Sequence, residues 1–257
     1  MNQIDLKGRV AVVTGGARGI GYAVATRMLQ SGASVVLWDV TADRLKTSQA
    51  ELSKLGKVET HVVDITDEPQ VLAAADAAVK ALGKIDILVN SAGITGPNVK
   101  TWEYSSKDFR QVQDINLIGT FHCCKAVVAP MMKNDYGRII NIASIAGLNG
   151  NPSGMNTIAY NTSKGAVINF TRTLAAEWGR YNINVNAICP GFFVTKLSQG
   201  LIQSLGEENM TAHVPLNRLG DDEDLKGITL LYASEAGKHI TGQWLAVDGG
   251  VSVVTGA

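Results

Sequence analysis

Seven short apolar runs, separated by longer segments with helical periodicity, constrain the fold of this 257-residue chain more than any other feature. Most of the runs are continuous rather than alternating, as is typical of parallel strands that are buried on both faces. Strands that alternate with helices along one chain predict an α/β fold with a doubly wound parallel sheet. The runs are RVAVVTG, ASVVLWD, VETHVVD, KIDILVN, GRIINIAS, INVNAIC and QWLAV.

The charges and the polar residues exclude several kinds of partner. Lys plus Arg and Asp plus Glu both number 23, and a net charge of zero provides no electrostatic footprint for nucleic acid or an anionic membrane. The amino terminus lacks the layout of a signal peptide, and no stretch of about 18 apolar residues predicts a membrane span. The cysteines and histidines lack the spacing of metal ligands, so we expect free buried thiols, no metal and a reducing, cytoplasmic location. These residues are Cys123, Cys124, Cys189, His61, His122, His213 and His239.

A glycine-rich turn follows the first apolar run and reads TGGARGIG at residues 14–21. Glycine lets the backbone turn tightly and approach a pyrophosphate, and the helix that follows presents free N–H groups and its positive end. Alone, this turn is a weak signal, because a merely structural turn can have the same composition. We predict cofactor contacts from Gly15, Arg18, Gly19, Ile20 and Gly21.

Asp39 closes the second apolar run, 18 residues beyond Gly21, where a carboxylate can accept hydrogen bonds from an adenosine ribose. The alternative role is an N-cap for the helix that begins in TADRL. A carboxylate at this point would repel a 2′-phosphate, so Asp39 favours NAD over NADP, whereas Arg18 favours the phosphate. Asp64, followed by Ile65, closes the third run and is expected either to reach the adenine edge or to cap a helix.

Ser144, Tyr160 and Lys164 lie in or beside residues 139–163, a segment without any charged residue. Tyr160 and Lys164 are four residues apart and therefore share a face at the start of a predicted helix. A cation about 4–6 Å away, with an oxidised nicotinamide as a second positive charge, would lower the pKa of the tyrosine from about 10 toward neutrality. Tyr160 could then exchange a proton with an alcohol or ketone oxygen that Ser144 holds in place. A charge-poor pocket would strengthen these interactions.

The ordered set of motifs resembles the single-domain branch of the short-chain dehydrogenase/reductase family over nearly the whole chain. The motifs are TGGARGIG, NSAG at 90–93, Asn116 in DINLIGTF, Ser144, YNTSK, PGFFVT at 190–195 and AVDGG. The resemblance implies one domain over residues 1–257 with a seven-stranded Rossmann sheet, a nicotinamide cofactor and a homotetramer. The weaker periodicity of residues 195–216 separately predicts a substrate-side flap around 192–216. It also implies a catalytic group of Asn116, Ser144, Tyr160 and Lys164.

The same resemblance implies individual contacts. Asn116 would kink its helix and hold a water behind the lysine, and Lys164 would also bond the nicotinamide ribose. Beyond the glycine turn, cofactor contacts are expected from Asp39, Asp64, Ile65, Asn90, Ala92, Gly93, Tyr160, Lys164, Pro190, Gly191 and Thr195. Substrate contacts are expected from Ser144, Ala146, Asn151, Tyr160 and Phe192.

Three departures from the family pattern weaken any transfer of a substrate. Ser91 replaces the second Asn of NNAG, Thr162 replaces the alanine of YxASK, and the spacing of 16 residues from Ser144 to Tyr160 is longer than usual. The extra residues lie in 148–157, which contains three Asn, one Ser and one Thr. Such side chains can bind several hydroxyls, so we predict a small polar substrate, such as a polyol or a sugar-derived hydroxy acid.

Other functions remain open at this stage. A 3-oxoacyl-thioester reductase is the main alternative because Phe192 and Phe193 offer an apolar wall, and an apolar or aromatic alcohol is a third substrate class. A catalytically inactive nucleotide sensor would be expected to lack Tyr160 or Lys164, and a methyltransferase has no use for that pair. An epimerase of the longer branch would need an additional substrate domain.

Overall fold

The seven apolar runs form seven parallel strands in the part of the chain that the structure, a computed structural model, describes: residues 4–151, 154–194, 202, 206–212 and 214–254. The strands make one sheet in the order β3-β2-β1-β4-β5-β6-β7, which confirms the predicted doubly wound α/β architecture. Their bounds are β1 Val10–Thr14, β2 Ser34–Asp39, β3 Val58–Val62, β4 Ile87–Asn90, β5 Gly137–Ile142, β6 Ile183–Pro190 and β7 Trp244–Val247.

The helices begin and end where the sequence supplies caps and stops. Asp67 caps α3 by accepting a hydrogen bond from the backbone N–H of Gln70 at 3.1 Å, and Gly83 ends that helix with φ of 85°. The bounds are α1 Gly19–Gln30, α2 Ala42–Leu52, α3 Glu68–Leu82, α4 Ser106–Gln113, α5 Gly119–Lys133, α6 Ile158–Trp178, α7 Glu207–Thr211 and α8 Lys226–Ala233. A π-helical turn, Asp114–Ile118, joins α4 to α5.

Helices cover both faces of the sheet, which explains why the strand sequences are apolar at successive positions. Ala11 and Val13 of β1 belong to the core layer beneath α1, α2 and α8, whereas Val10 and Val12 belong to the layer beneath α3, α5 and α6. The two edge strands are the exposed ones among the described strands, with Val62 of β3 at 58%, Trp244 of β7 at 45% and Leu245 of β7 at 44%. A strand buried on both faces has no need for alternating polarity.

The continuous helix Ser106–Lys133 corrects one expectation, because its length and composition alone would allow it to cross a membrane. Polar residues interrupt the apolar ones along this helix, so its sequence contains no unbroken apolar stretch of about 18 residues. About 44% of its most apolar window is buried inside the fold. Its α5 part packs on α3, β4 and β5, as a core helix does.

The strand order creates a switch point between β1 and β4. The chain runs from β1 to β2 and β3 on one side and returns to β4 on the other. Ligands of open parallel sheets bind in the crevice outside the carboxyl ends of such strands. Of the predicted flap around 192–216, the structure describes 192–194, residue 202, a short helix α7 and the segment from 214 onward.

Candidate active site

A cleft of about 1370 Å³ opens at the carboxyl ends of the strands. This volume exceeds the roughly 300–1,000 Å³ of a typical small-molecule pocket and suits a dinucleotide together with a substrate. Segments that follow all seven strands contribute to its lining. They include Gly15, Asp39, Asp64, Ala92, Ser144, Gly191 and Val251.

The glycine turn forms the floor of one end of the cleft. Gly15, Arg18, Gly19 and Ile20 line it, as predicted, and no side chain caps the amino terminus of α1. The first-turn N–H groups and the positive helix end are therefore available to a phosphate. Gly21 lies behind the lining of the cleft, and its contact with a cofactor stays a prediction. A Cβ on Gly21 would lie 2.4 Å from the carbonyl oxygen of Gly15, so Gly21 allows α1 to pack against the turn.

The adenosine end of the cleft contains two carboxylates in different settings. Asp39 is half-buried, lines the cleft and accepts a hydrogen bond from the N–H of Thr41 at 3.1 Å through one oxygen. Thr41 occupies the N-cap position of α2, so Asp39 is not the N-cap that was considered as its alternative role. Its hydrogen bond with Thr41 fixes the turn before the helix, and its carboxylate lies at the cleft. Asp64 is exposed and accepts from the N–H and the hydroxyl of Thr66 at 2.9 and 2.7 Å. Ile65 lines the cleft as predicted, and sequence reasoning missed Trp38, Val40 and Val63 beside it.

The NSAG segment is held by a threonine that the sequence analysis did not single out. The Oγ1 of Thr14 accepts hydrogen bonds from the N–H groups of Ser91 and Ala92, both at 3.1 Å. Ala92 and Gly93 line the cleft as predicted. Asn90 does not: it is buried, and its Nδ2 donates to Asn141 Oδ1 of the neighbouring strand at 2.8 Å. Asn90 therefore ties β4 to β5, and its contact with a cofactor stays a prediction.

The three reactive side chains converge on the cleft from two elements. Ser144 follows β5 by two residues, and Tyr160 and Lys164 lie on the first turns of α6. The Ser144 hydroxyl lies beside the Tyr160 phenol and acts to lower its pKa. The Nζ of Lys164 lies 5.6 Å from the centroid of the Tyr160 ring and donates a hydrogen bond to the backbone carbonyl of Ile142 at 2.7 Å. The predicted grouping of these residues is therefore present.

Burial dominates the protonation equilibria of this group. It raises the pKa of the Tyr160 phenol, although the Ser144 hydroxyl lowers that pKa in part and the nearby Cys189 raises it further. It also lowers the pKa of Lys164 to about 8, against an opposing effect of Cys189. In the protein alone, burial therefore favours the neutral phenol of Tyr160, and the lowering of its pKa by Lys164 together with an oxidised nicotinamide stays a prediction.

Asn116 lies in the π-helical turn before α5, which confirms that it interrupts its helix. Its Oδ1 accepts from the N–H of Ile94 at 2.9 Å, and its Nδ2 donates to the Ile94 carbonyl and to Ser163 Oγ, each at 2.9 Å. Asn116 is buried and does not line the cleft, so its side chain holds a loop that does. Ser163, which the sequence analysis missed, donates in turn to the Tyr160 carbonyl at 2.7 Å. The water behind the lysine stays a prediction.

The substrate end of the cleft agrees with the sequence in part. Ala146, Asn151 and Phe192 line it, as do Pro190 and Gly191 of the PG motif. The carboxamide of Asn151, however, is engaged with its own loop, which changes its expected role. Thr195 lies outside the described residues. The carboxyl-terminal segment also lines the cleft through Val251, Ser252 and Val254, and no sequence signal pointed to it.

The residues present fit a nicotinamide dinucleotide. An uncapped helix amino terminus would hold the pyrophosphate, the Asp39 carboxylate would hold the adenosine ribose, and Trp38, Val63 and Ile65 would form an apolar slot for adenine. The remaining volume lies beside Ser144 and Tyr160.

Comparison with known proteins agrees with this geometry. A family model described as Enoyl-(Acyl carrier protein) reductase matches residues 15–252. A 2-dehydro-3-deoxy-L-rhamnonate dehydrogenase (NAD(+)) of Sphingomonas sp. (strain SKA58) is 42% identical over 245 residues, which are 95% of each chain. A 3-oxoacyl-[acyl-carrier-protein] reductase of Chlamydia muridarum is 38% identical over 98% of this chain and 100% of its own. The structure of an NAD+-bound xylitol dehydrogenase has a TM-score of 0.90 at 35% identity, covering 95% of this chain and 99% of that one.

Both curated relatives align with the chain from end to end, and the solved structure shares its fold. The glycine turn, Asp39 and the Ser-Tyr-Lys group meet in one cleft, at the positions that the motifs of the sequence led us to expect. The chain therefore belongs to the short-chain dehydrogenase/reductase family and is an oxidoreductase of that family.

Proposed function

We propose that this protein transfers a hydride between NAD and a small polar secondary alcohol or ketone, such as a polyol or a sugar-derived hydroxy acid. The observation that carries the proposal is the convergence of Ser144, Tyr160 and Lys164 in a cleft that is also lined by asparagines, among them Asn98, Asn149 and Asn151. The relative of 42% identity acts on a deoxy sugar acid and the xylitol dehydrogenase on a polyol, by their names.

The chain's own residues divide the chemistry between them. A bound nicotinamide supplies the hydride acceptor or donor. Ser144 positions the substrate oxygen through its hydroxyl, and Tyr160 takes the proton of that oxygen in oxidation or returns it in reduction. Lys164 adds positive charge beside the phenol, and its pKa of about 8 keeps most of it protonated at neutral pH. Ser144 and Lys164 are buried and Tyr160 is half-buried, and this limited exposure to water strengthens their electrostatic interactions.

The cofactor preference follows from Asp39. A carboxylate that faces a 2′-phosphate at about 4 Å is disfavoured by roughly 4 kcal/mol per charge pair at an effective dielectric constant of 20. Val40, which follows Asp39, is 63% exposed and has no charge to compensate. Arg18 also lines the cleft and favours a phosphate, but Asp39 lies where the ribose is expected. NAD is therefore the proposed cofactor, with NADP less favoured.

Reduction of a 3-oxoacyl thioester is the second candidate. Phe192, Ile94, Met155, Val251 and Val254 give the cleft an apolar portion that an acyl chain could fill. Phe193 contributes less to such a wall than expected, because its ring is buried against Gly220. The backbones of Phe193 and Gly220 also form an isolated β-bridge. The relative from Chlamydia muridarum carries the name of such a reductase.

One panel of substrates separates the candidates. The purified protein is mixed with NAD and, in turn, with polyols, aldonic acids, a 3-hydroxyacyl thioester and aryl alcohols, and NADH formation is followed by absorbance. The proposal expects turnover with a polyol or an aldonic acid. Activity only on the acyl thioester, with NADPH in the reducing direction, would replace it with the second candidate. Binding of NAD without turnover of any substrate would favour the inactive sensor.

We also propose that one domain spans 1–257 and that four copies assemble with two-fold symmetry in the cytoplasm. Two surfaces support assembly: exposed apolar side chains beside α5 and α6, and the free edge of β7. They include Ile118, Phe121, Ile158, Trp244 and Leu245. The three cysteines are free and buried, which fits a reducing compartment. Light scattering at micromolar concentration should give four times the monomer mass, and a monomer would contradict the assembly.

A further inference from the structure

The loop that precedes α6 is held together by its own side chains. Asn151 Nδ2 donates to Asn161 Oδ1 at 3.0 Å, and Asn161 Nδ2 donates to Asn151 Oδ1 at 3.0 Å, so the two amides form a reciprocal pair. Thr157 Oγ1 lies 2.7 Å from Asn151 Nδ2 and donates to Asn161 Oδ1 at 2.9 Å. Asn161 is the neighbour of Tyr160 in the first turn of α6, and the pair therefore ties the loop to the catalytic helix.

A second set of hydrogen bonds joins this loop to the segment that follows β4. Asn98 Nδ2 donates to the Gly154 carbonyl at 3.0 Å, and Asn98 Oδ1 accepts from the N–H of Asn156 at 2.6 Å. The N–H of Val99 donates to the Asn156 carbonyl at 3.2 Å. Both segments line the cleft, so these bonds close one wall of it. The amides of Asn98 and Asn151 are used in building this wall.

Asn149 differs from these asparagines because only its backbone is engaged. Its N–H donates to the Ile145 carbonyl at 3.1 Å, and its own carbonyl accepts from Asn161 Nδ2 at 3.4 Å. Its side chain is exposed, lines the cleft and makes no hydrogen bond within the described residues. A carboxamide on a backbone that is fixed at both ends is preorganised as a donor and an acceptor.

The charges of the cleft favour a neutral partner for this carboxamide. Among the described lining residues, the charged ones are Arg18, Asp39, Asp64 and Lys164. The first three lie at the dinucleotide end, and Lys164 belongs to the catalytic group. The wall around Asn149 therefore recognises its ligand through neutral hydrogen bonds, which suits the hydroxyls of a polyol or a sugar-derived compound.

We propose that Asn149 binds a substrate hydroxyl remote from the reacting carbon, and that the Asn151–Asn161 pair is a positioning device for Asn149. The inference rests on the proposed function, since it needs a hydroxylated substrate. It transfers the substrate-binding role from Asn151, where the sequence placed it, to Asn149. Asn161 then connects the hydroxyl-binding residue to Tyr160, its neighbour on α6.

The test compares two alcohols of equal carbon number, xylitol and 2-pentanol, at saturating NAD. The measured quantity is the ratio of kcat/KM for xylitol to that for 2-pentanol. In Asn149→Ala and in Asn149→Leu, this ratio should fall by about tenfold or more, mainly through KM for xylitol, because a hydroxyl loses its partner. The melting temperature should not change. Asn134→Ala, an exposed asparagine at the end of α5, is the matched control and should keep the ratio.

The positioning role of the Asn151–Asn161 pair is tested by combining Asn161→Ala with Asn149→Ala. Asn161→Ala should lower the same ratio, but it should lower it by less than twofold when Asn149 is already alanine. Additive losses would overturn the positioning role. An unchanged ratio in both Asn149 variants would overturn the binding role while the wild type still prefers xylitol. If the wild type acts on an aldonic acid and not on xylitol, that acid replaces xylitol in the ratio. Turnover of neither a polyol nor an aldonic acid would contradict the proposed polar substrate, and the inference with it.

Discussion

Replacing Lys164 by methionine should make the protein more stable at neutral pH while abolishing its activity. Lys164 is buried, and burial lowers its pKa from 10.5 to about 8. At about 1.4 kcal/mol per pH unit, the buried ammonium reduces the free energy of unfolding by about 3 kcal/mol. Methionine removes this cost but leaves the Ile142 carbonyl without its 2.7 Å donor, which costs roughly 1–2 kcal/mol. We expect a net gain of about 1–2 kcal/mol at pH 7.

The pH dependence of the stability gain in Lys164→Met distinguishes removal of a buried charge from an improvement in packing. Below pH 8 both the folded and the unfolded state hold the Lys164 proton, so the cost of burial is fully present. Between pH 8 and about 10.5 the folded state loses this proton before the unfolded state does, and the wild type gains stability. The advantage of Lys164→Met should therefore shrink by about 2 kcal/mol between pH 7 and 9.5. The neighbouring Cys189 has a pKa of about 11 and Tyr160 a raised pKa, so both titrate later.

Urea unfolding followed by circular dichroism, at one fixed protein concentration, measures these free energies. Lys46→Met on the exposed face of α2 is the matched control, and its effect should not depend on pH in this range. A Lys164→Met variant that is destabilised to the same extent at pH 7 and pH 9.5 would refute the reasoning. An advantage that grows with pH would refute it as well.

Three further predictions concern the catalytic group and the cofactor. Tyr160→Phe should retain NAD binding, seen by fluorescence, and lose turnover by about 10²–10⁴-fold; near-normal turnover would remove Tyr160 from the mechanism. Asp39→Ser should raise kcat/KM with NADP relative to NAD at least tenfold, since a repulsion of roughly 4 kcal/mol is relieved; an unchanged ratio would contradict the ribose assignment. Gly21→Ala should abolish NAD binding, because its Cβ would lie 2.4 Å from a backbone oxygen and would distort the glycine turn. Gly19→Ala has open space around its Cβ but a φ of 55°, so it should lower the free energy of unfolding by about 1–2 kcal/mol. Equal losses in the two glycine variants, measured by NAD titration and urea unfolding, would be inconsistent with this packing.

The features that the sequence predicted well depend on short stretches of chain. A strand buried on both faces is mostly apolar, so β1 and β2 are recognisable without knowledge of their neighbours. The spacing of Tyr160 and Lys164 places them on one face of any helix, and the glycine turn needs only its own backbone. These parts of the fold and site could therefore be predicted.

The features that were missed depend on contacts between distant segments. Thr14 meets the N–H groups of Ser91 and Ala92 only after β1 and β4 have paired. Asn151 looked like a ligand residue because its carboxamide partner, Asn161, is recognised only when the loop folds back on α6. A count of polar residues shows that hydrogen bonds can be made there, but it does not show which are already made within the protein.

The electrostatics of the catalytic group lead to a last prediction about cofactor binding. In the protein alone, burial favours the neutral phenol of Tyr160 and lowers the pKa of Lys164 to about 8, so this pair alone does not produce a phenolate at neutral pH. A positive charge must enter the cleft before Tyr160 can act as a base, and oxidised nicotinamide has such a charge whereas reduced nicotinamide does not. Affinity for NAD should therefore rise with pH between about 7 and 9, as deprotonation of Tyr160 becomes linked to binding. Affinity for NADH should change much less, and Tyr160→Phe should reduce the difference to the part that comes from deprotonation of Lys164, whose pKa is about 8. Calorimetric titrations that give parallel pH profiles for NAD and NADH in the wild type would show that Tyr160 does not respond to the charge of the ring.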